Sequence, residues 1–236
     1  MRELAIFRVL LAMERIDKVK EIIKRLKKLY PDPKLELEFE NPFQLLVMAI
    51  LAAQESDKKV NKTAKELFAE LKEPHHFAVL EVDELSERIK HIRWNHHKAE
   101  LIIKCCKALL ELHDGKVPDN VDKLSKLPGV GRKTAHMVVG GAFKKPALIT
   151  DRHFIRVANR LGLTKETKPQ KVEKDIASWL PKEYWLELSL LLIEHGKHIC
   201  KARNPLCEKC PLTDLCECYL TTHCKEFKTK KTKKVA

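Results

Sequence analysis

The stretch "LPGVGRKTAHMVVGGAF", residues 127–143, holds four of the chain's seven glycines: Gly129, Gly131, Gly140 and Gly141. A Pro-Gly-Val-Gly turn between two helical patterns exposes backbone N–H groups at the start of the second helix. Those unpartnered donors, together with the positive end of the helix dipole, favour a phosphate. Gly129 and Gly131 allow positive φ and close approach of a ligand to the backbone. A plain αα-turn without a ligand is the other reading. Past the turn, Lys133, His136 and Gly140 share one helical face, while Ala135, Val139, Ala142 and Phe143 form an apolar one. Lys133 can therefore look into a cleft while its helix stays anchored. A lysine amine, with an ordinary pKa of about 10.4, acts as a nucleophile near neutral pH only where it is partly desolvated or biased by cations or a dipole. A helix start beside Arg132 is such a place; without it, Lys133 is a surface lysine touching phosphate.

Around this stretch the periodicity is helical. Ile16, Val19, Ile23, Leu26 and Leu29 recur at spacings of three and four, giving one apolar face opposite a lysine-rich one. Asn41 followed by Pro42 reads as a cap and first turn that launch the nine-residue apolar run "LLVMAILAA", residues 45–53. That helix is expected to be buried. The alternation in "LELEFE", residues 35–40, is the only period-two signal and is too short for a sheet of its own, so it is read as extended. Further helical patterns fill the chain to about residue 200, which makes the fold class all-α. The apolar runs fall short of the roughly 18 residues that a membrane span needs. The opening fourteen residues read as an amphipathic segment, not a signal peptide, so the expected location is cytoplasmic.

The formal net charge is +13 over 236 residues. The last twelve residues, "KEFKTKKTKKVA", account for +5 of it and leave a basic body. A polyanion such as DNA is the partner this favours. Of the eight cysteines, Cys200, Cys207, Cys210 and Cys216 close within seventeen residues, a spacing that suits zinc or an iron–sulfur cluster. Cys105 and Cys106 lie on an apolar helix and read as core thiols, while Cys218 and Cys224 fall outside the pattern. Asp151, eighteen residues after Lys133, directly precedes the amphipathic "RHFIRVANRLG" and reads first as a helix cap.

The phrase "LPGVGRKTA", the aspartate of "ITDRHFIRVANRLGL" and the four-cysteine loop together resemble the endonuclease III family of DNA glycosylases, over roughly residues 35–220. The resemblance implies a helix-hairpin-helix glycosylase fold of two helical domains. A six-helix domain would span residues 35–145, a discontinuous cluster domain residues 1–34 and 146–220, and a basic tail residues 221–236. It implies a bifunctional N-glycosylase and AP lyase of base excision repair, releasing oxidised pyrimidines from damaged double-stranded DNA as a monomer. Lys133 would be the Schiff-base nucleophile and Asp151 its acidic partner across a DNA-binding cleft. A 4Fe-4S cluster would sit on Cys200, Cys207, Cys210 and Cys216.

For DNA contact the resemblance points to Gly129, Val130, Gly131 and Arg132 in the hairpin and to Lys201 and Arg203 beside the cysteine loop. Gln54, followed by Asp57, matches the glutamine that fills the gap left by an extruded base, a role its amide suits by donating and accepting. Trp94 matches the second wedge. Two departures stand out: Arg152 follows the aspartate where a threonine is usual, and the wedge loop reads "RWNHH" with an aromatic tip. His96 and His97 have no third ligand nearby and are read as phosphate or solvent contacts. The alternatives are a monofunctional thymine or adenine mismatch glycosylase, which generally lacks the hairpin lysine, and a non-catalytic DNA-binding module.

Overall fold

The computed structural model describes residues 2–221, with side chains from residue 13 onward. The tail beyond Thr221, and Cys224 with it, lies outside the described residues. Among the described residues every regular element is helical. Twelve α-helices follow in order: α1 (Arg2–Leu29), α2 (Pro42–Leu51), α3 (Asp57–Glu70), α4 (Pro74–Ala78), α5 (Val82–Arg88), α6 (Asn95–His113), α7 (Val121–Leu124), α8 (Arg132–Phe143), α9 (Arg152–Leu161), α10 (Pro169–Ala177), α11 (Trp185–His198) and α12 (Glu217–Leu220). No helix is long and apolar enough to cross a membrane, among the residues described. The chain divides into two compact units, Lys34–Ala147 and the pair Met1–Pro33 with Leu148–Ala236.

In the continuous unit, α2 is the central element. Asn41 caps it: the side-chain oxygen accepts from the Gln44 N–H at 3.0 Å, and Pro42 occupies the first turn. Every residue from Phe43 to Leu51 is buried. A helix apolar on all sides needs partners all round, and α3, α6 and α8 pack on it. Phe43, Phe68 and Phe77 meet edge to face with centroids 5.5–6.4 Å apart, the arrangement favoured by ring quadrupoles. Asn41→Ala removes the cap and is expected to lower stability by about 1 kcal/mol, read as a shifted urea midpoint with an unchanged slope.

The "LELEFE" segment forms no strand. Asn61 of α3 takes the place of a neighbouring strand, accepting from the Glu38 N–H at 3.1 Å and donating to the Glu36 carbonyl at 2.8 Å. Helix α4 has no period to show in sequence, being five residues long, yet its Phe77 is fully buried.

In the discontinuous unit, α11 packs against α1 and α9. Val19, Ile22, Ile23 and Leu26 of α1 are buried, whereas Leu29, which shares that face by its spacing, is 43 % exposed at the helix end. The opening amphipathic segment belongs to the same helix, which runs unbroken from Arg2. Arg25 of α1 donates to the Pro211 carbonyl at 3.0 Å and to Asp214 at 2.6 Å, reaching the cysteine loop from the other end of the chain.

Candidate functional site

The hairpin is built from α7 and α8. Gly129 has φ +75°, the left-handed region that favours glycine, and a Cβ there would stand a tight 3.1 Å from Leu101 Cβ. Gly131 departs from the sequence expectation. As N-cap of α8 its φ is −79°, open to any residue, but nothing lies within 4 Å of where its Cβ would be. Its missing side chain leaves open space at the helix start, which is what backbone approach to a phosphate needs. Gly129→Ala is expected to destabilise the protein by about 1–3 kcal/mol through the left-handed turn and to weaken DNA binding, measured together by melting and by fluorescence anisotropy.

Val130 is committed elsewhere: its side chain is 5 % exposed and its N–H donates to the Leu127 carbonyl at 3.1 Å. The first turn of α8, where a helix cannot satisfy its own N–H groups internally, is where a ligand would meet donors. Arg132 pairs with Asp122 of α7 at 3.1 Å, so part of its charge serves the hairpin itself. Lys133 is exposed on that first turn. His136, on the same face, is only 4 % exposed: one turn further along, that face is covered.

Gln54 and Trp94 are also in this unit and share an unusual backbone state. Their φ values are +57° and +60°, in the left-handed region that side chains other than glycine and asparagine rarely adopt. Gln54 is exposed and Trp94 is 64 % exposed. Asp57 opens α3. Exposed His96 and His97 each stand beside a carboxylate, Asp83 at 3.4 Å and Glu100 at 3.8 Å.

Asp151 belongs to the other unit, at the N-cap of α9. One carboxylate oxygen accepts from the Phe154 N–H at 2.7 Å, and the cap leaves the second oxygen for other work. Arg152 is exposed, with its Nε 3.3 Å from His153 Nε2. His153, which belongs to no motif in the sequence, is half-buried beside Asp151. Burial lowers its pKa, with Asp151 pulling the other way.

Helix α9 runs from Asp151 to the cysteine loop, and two arginines join them. Arg156 donates to the Gly196 carbonyl at 2.7 Å and the Cys200 carbonyl at 3.0 Å. Arg160 donates to Cys200 Sγ at 3.2 Å and to the carbonyls of Lys201 at 2.7 Å and Ala202 at 3.2 Å. Their spacing of four is plain in the sequence; their backbone targets are not. Lys201 and Arg203 are exposed at the rim of this loop.

Cys200, Cys207, Cys210 and Cys216 line one hollow, with Arg160, Ile199, Pro205, Thr213 and Tyr219 completing its wall. The four thiols are free of disulfides. Burial pushes the Cys210 thiol up to about 12, so a thiolate there requires the charge of a bound metal. His195 Nε2 lies 3.3 Å from Cys210 Sγ, and burial brings that ring down to about 4, keeping it neutral. No group of three or more His, Cys, Asp or Glu among the described residues is arranged to hold a single ion. Four sulfurs spread around a shared hollow suit a multi-atom cluster held at its corners. Cys105 and Cys106 are fully buried, as core thiols are.

The family model described as HhH-GPD superfamily base excision DNA repair protein matches residues 47–182. The iron-sulfur binding domain of endonuclease III matches residues 200–216. The endonuclease III of Haemophilus influenzae is 42 % identical over 197 residues, covering 84 % of this chain and 93 % of the relative. A solved trapped endonuclease III–DNA covalent intermediate, an estranged-adenine complex, superposes with a TM-score of 0.80 at 39 % identity, over 85 % of this chain and 95 % of the other. A thermostable thymine-DNA glycosylase superposes with a TM-score of 0.77 at 24 % identity, over 86 % and 97 %, and shares the fold.

Proposed function

This chain belongs to the endonuclease III family within the HhH-GPD superfamily of base excision DNA repair proteins, and from that premise we propose that Lys133 is its nucleophile and Asp151 the acidic partner. The protein is a DNA glycosylase and AP lyase whose four-cysteine loop holds an iron–sulfur cluster. The proposed substrate is double-stranded DNA carrying an oxidised pyrimidine, bound by a monomer. Lys133 Nζ forms a bond to the sugar C1′ as the glycosidic bond breaks, and the base leaves with the bonding electrons and a proton. Opening of the sugar ring gives the Schiff base, and loss of a C2′ proton then expels the 3′ phosphate oxygen. The uncommitted oxygen of Asp151 stabilises positive charge developing on the sugar or carries the proton.

One observation carries this reading: Lys133 is exposed on the first turn of a helix whose N-cap, Gly131, has open space where a side chain would stand. Around it, the first turn of α8, with Gly129, Gly131 and Arg132, would grip a phosphate. Val130 contributes by packing the turn, and Lys201 and Arg203 add charge from the cysteine loop. The unit Lys34–Ala147, which holds the seven helices α2–α8 where six were expected, is the proposed hairpin domain, and the discontinuous unit the proposed cluster domain. The 4Fe-4S cluster, when bound, would cross-link the Cys200–Cys216 loop, and Arg156 and Arg160 fasten α9, the helix that Asp151 caps, to that loop. Borohydride trapping on duplexes bearing thymine glycol or an abasic site tests the assignment. A covalent complex on both is expected; trapping on the abasic duplex alone would redirect the lesion class, and none on either would overturn the nucleophile.

A further inference from the structure

Gln54 and Trp94 lie forty residues apart in sequence, one at the exit from α2 and the other at the entry to α6. Both are left-handed and exposed, and polar side chains flanking each are bonded to the backbone of the other's loop. Glu55, next to Gln54, accepts from the N–H of Arg93, next to Trp94, at 2.9 Å. The same carboxylate accepts from the Ser56 N–H at 3.2 Å and from Lys59 at 3.2 Å, and its side chain is 11 % exposed. In the reverse direction, Lys98 of α6 sends its ammonium to the Leu51 carbonyl at 2.8 Å and the Ala53 carbonyl at 2.7 Å. The Lys98 N–H donates to the Trp94 carbonyl at 2.9 Å. Lys98 is only 4 % exposed.

A buried ammonium bonded to neutral carbonyls is a poor source of stability, since an apolar side chain of similar volume packs there without losing hydration. What it provides is geometry: it ties the carbonyls at the end of α2 directly to α6. Glu55 closes the second link on the far side of Gln54. Each tip is thereby held on both flanks, and the backbone between the links is locked in a conformation it would leave if released.

We propose that Glu55 and Lys98 are positioning residues that hold Gln54 and Trp94 as one preorganised two-pronged wedge for the duplex. This rests on the reading of those two residues as the groups that enter DNA. Insertion of two tips at once costs ordering entropy unless their separation is set beforehand, and the two cross-links set it. Lesion recognition therefore depends on two side chains that need not touch the nucleic acid.

The test compares binding of the cluster-loaded protein to a duplex with a tetrahydrofuran abasic analogue and to the undamaged duplex of the same sequence. Glu55→Ala and Lys98→Met are expected to weaken the analogue complex about tenfold relative to the undamaged one. Glu55→Gln, whose amide oxygen still accepts from Arg93, should recover most of the loss. In a Gln54→Ala/Trp94→Ala background, Glu55→Ala should add no more than about a twofold change. Equal weakening on both duplexes, unchanged binding, or a full loss persisting without the two tips would overturn the clamp. If Lys98→Met does not fold, the Glu55 series decides alone. Should Gln54→Ala and Trp94→Ala themselves leave the preference for the analogue intact, the wedge reading falls and the clamp with it. If the tips matter and Glu55 does not, only the clamp falls.

Discussion

Lys133→Gln should leave no borohydride-trapped complex on abasic or thymine glycol duplexes, a loss of at least about a thousandfold in strand cleavage. The glutamine side chain is one bond shorter and still donates hydrogen bonds, but its amide nitrogen has no lone pair available for attack on C1′. Binding should stay within about tenfold of wild type, because one phosphate contact at most is lost and the first-turn donors of α8 persist. A parallel salt titration checks that the variant still binds through the same set of phosphates. Cleavage by Lys133→Gln at the wild-type rate would move the nucleophile elsewhere. Lys133 is at the surface, and its substitution opens no cavity, so the melting temperature should not change.

Cys210→Ser should be the most damaging single change to the discontinuous unit. Between Cys200 and Cys216 only Leu212 is fully buried, so the loop has almost no apolar core of its own. Its order depends on the metal and on hydrogen bonds such as Arg160 to the carbonyls of Lys201 and Ala202. With one corner ligand missing, the expected result is loss of iron and of the brown sulfur-to-iron absorption. Stability should fall by on the order of 3–5 kcal/mol. Iron content, a thermal melt and limited proteolysis within 200–216 read this directly. A serine variant without iron that melts at the wild-type temperature would show that the protein framework holds the loop unaided.

Elements with a long period or a strong cap are legible in the residues themselves. The Asn41-Pro42 start of α2, the apolar run after it, the α1 face and the hairpin all follow from local chemistry, and the fold places them there. Helix α4 is not legible in this way, because five residues cannot display a helical period and Phe77 acquires its meaning only from Phe43 and Phe68. The fate of "LELEFE" depends on Asn61, more than twenty residues away. At the candidate site, residue identities are legible and commitments are not. Nothing local announces that the Val130 N–H is already used, that Gly131 has ordinary φ, or that His136 is covered. Glu55, Lys98, Arg156 and Arg160 are silent in the sequence for the same reason: each acts on backbone carbonyls or N–H groups, and a backbone target leaves no signature in the order of side chains.

The discontinuity of the second unit bears on how the protein is made. Helix α1 leaves the ribosome long before its partners: α11 packs on it, and Arg25 waits for Pro211 and Asp214, 186 and 189 residues downstream. The intervening unit Lys34–Ala147 is compact in itself and is synthesised while α1 is still without its partners. At about 5–20 residues per second, that wait lasts on the order of ten seconds. During it the apolar stripe of Val19, Ile22, Ile23 and Leu26 stands uncovered. Nascent chains stalled before α11 should therefore be the ones that recruit chaperones and aggregate, and the lysines on the opposite face of α1 are what keep such a chain in solution.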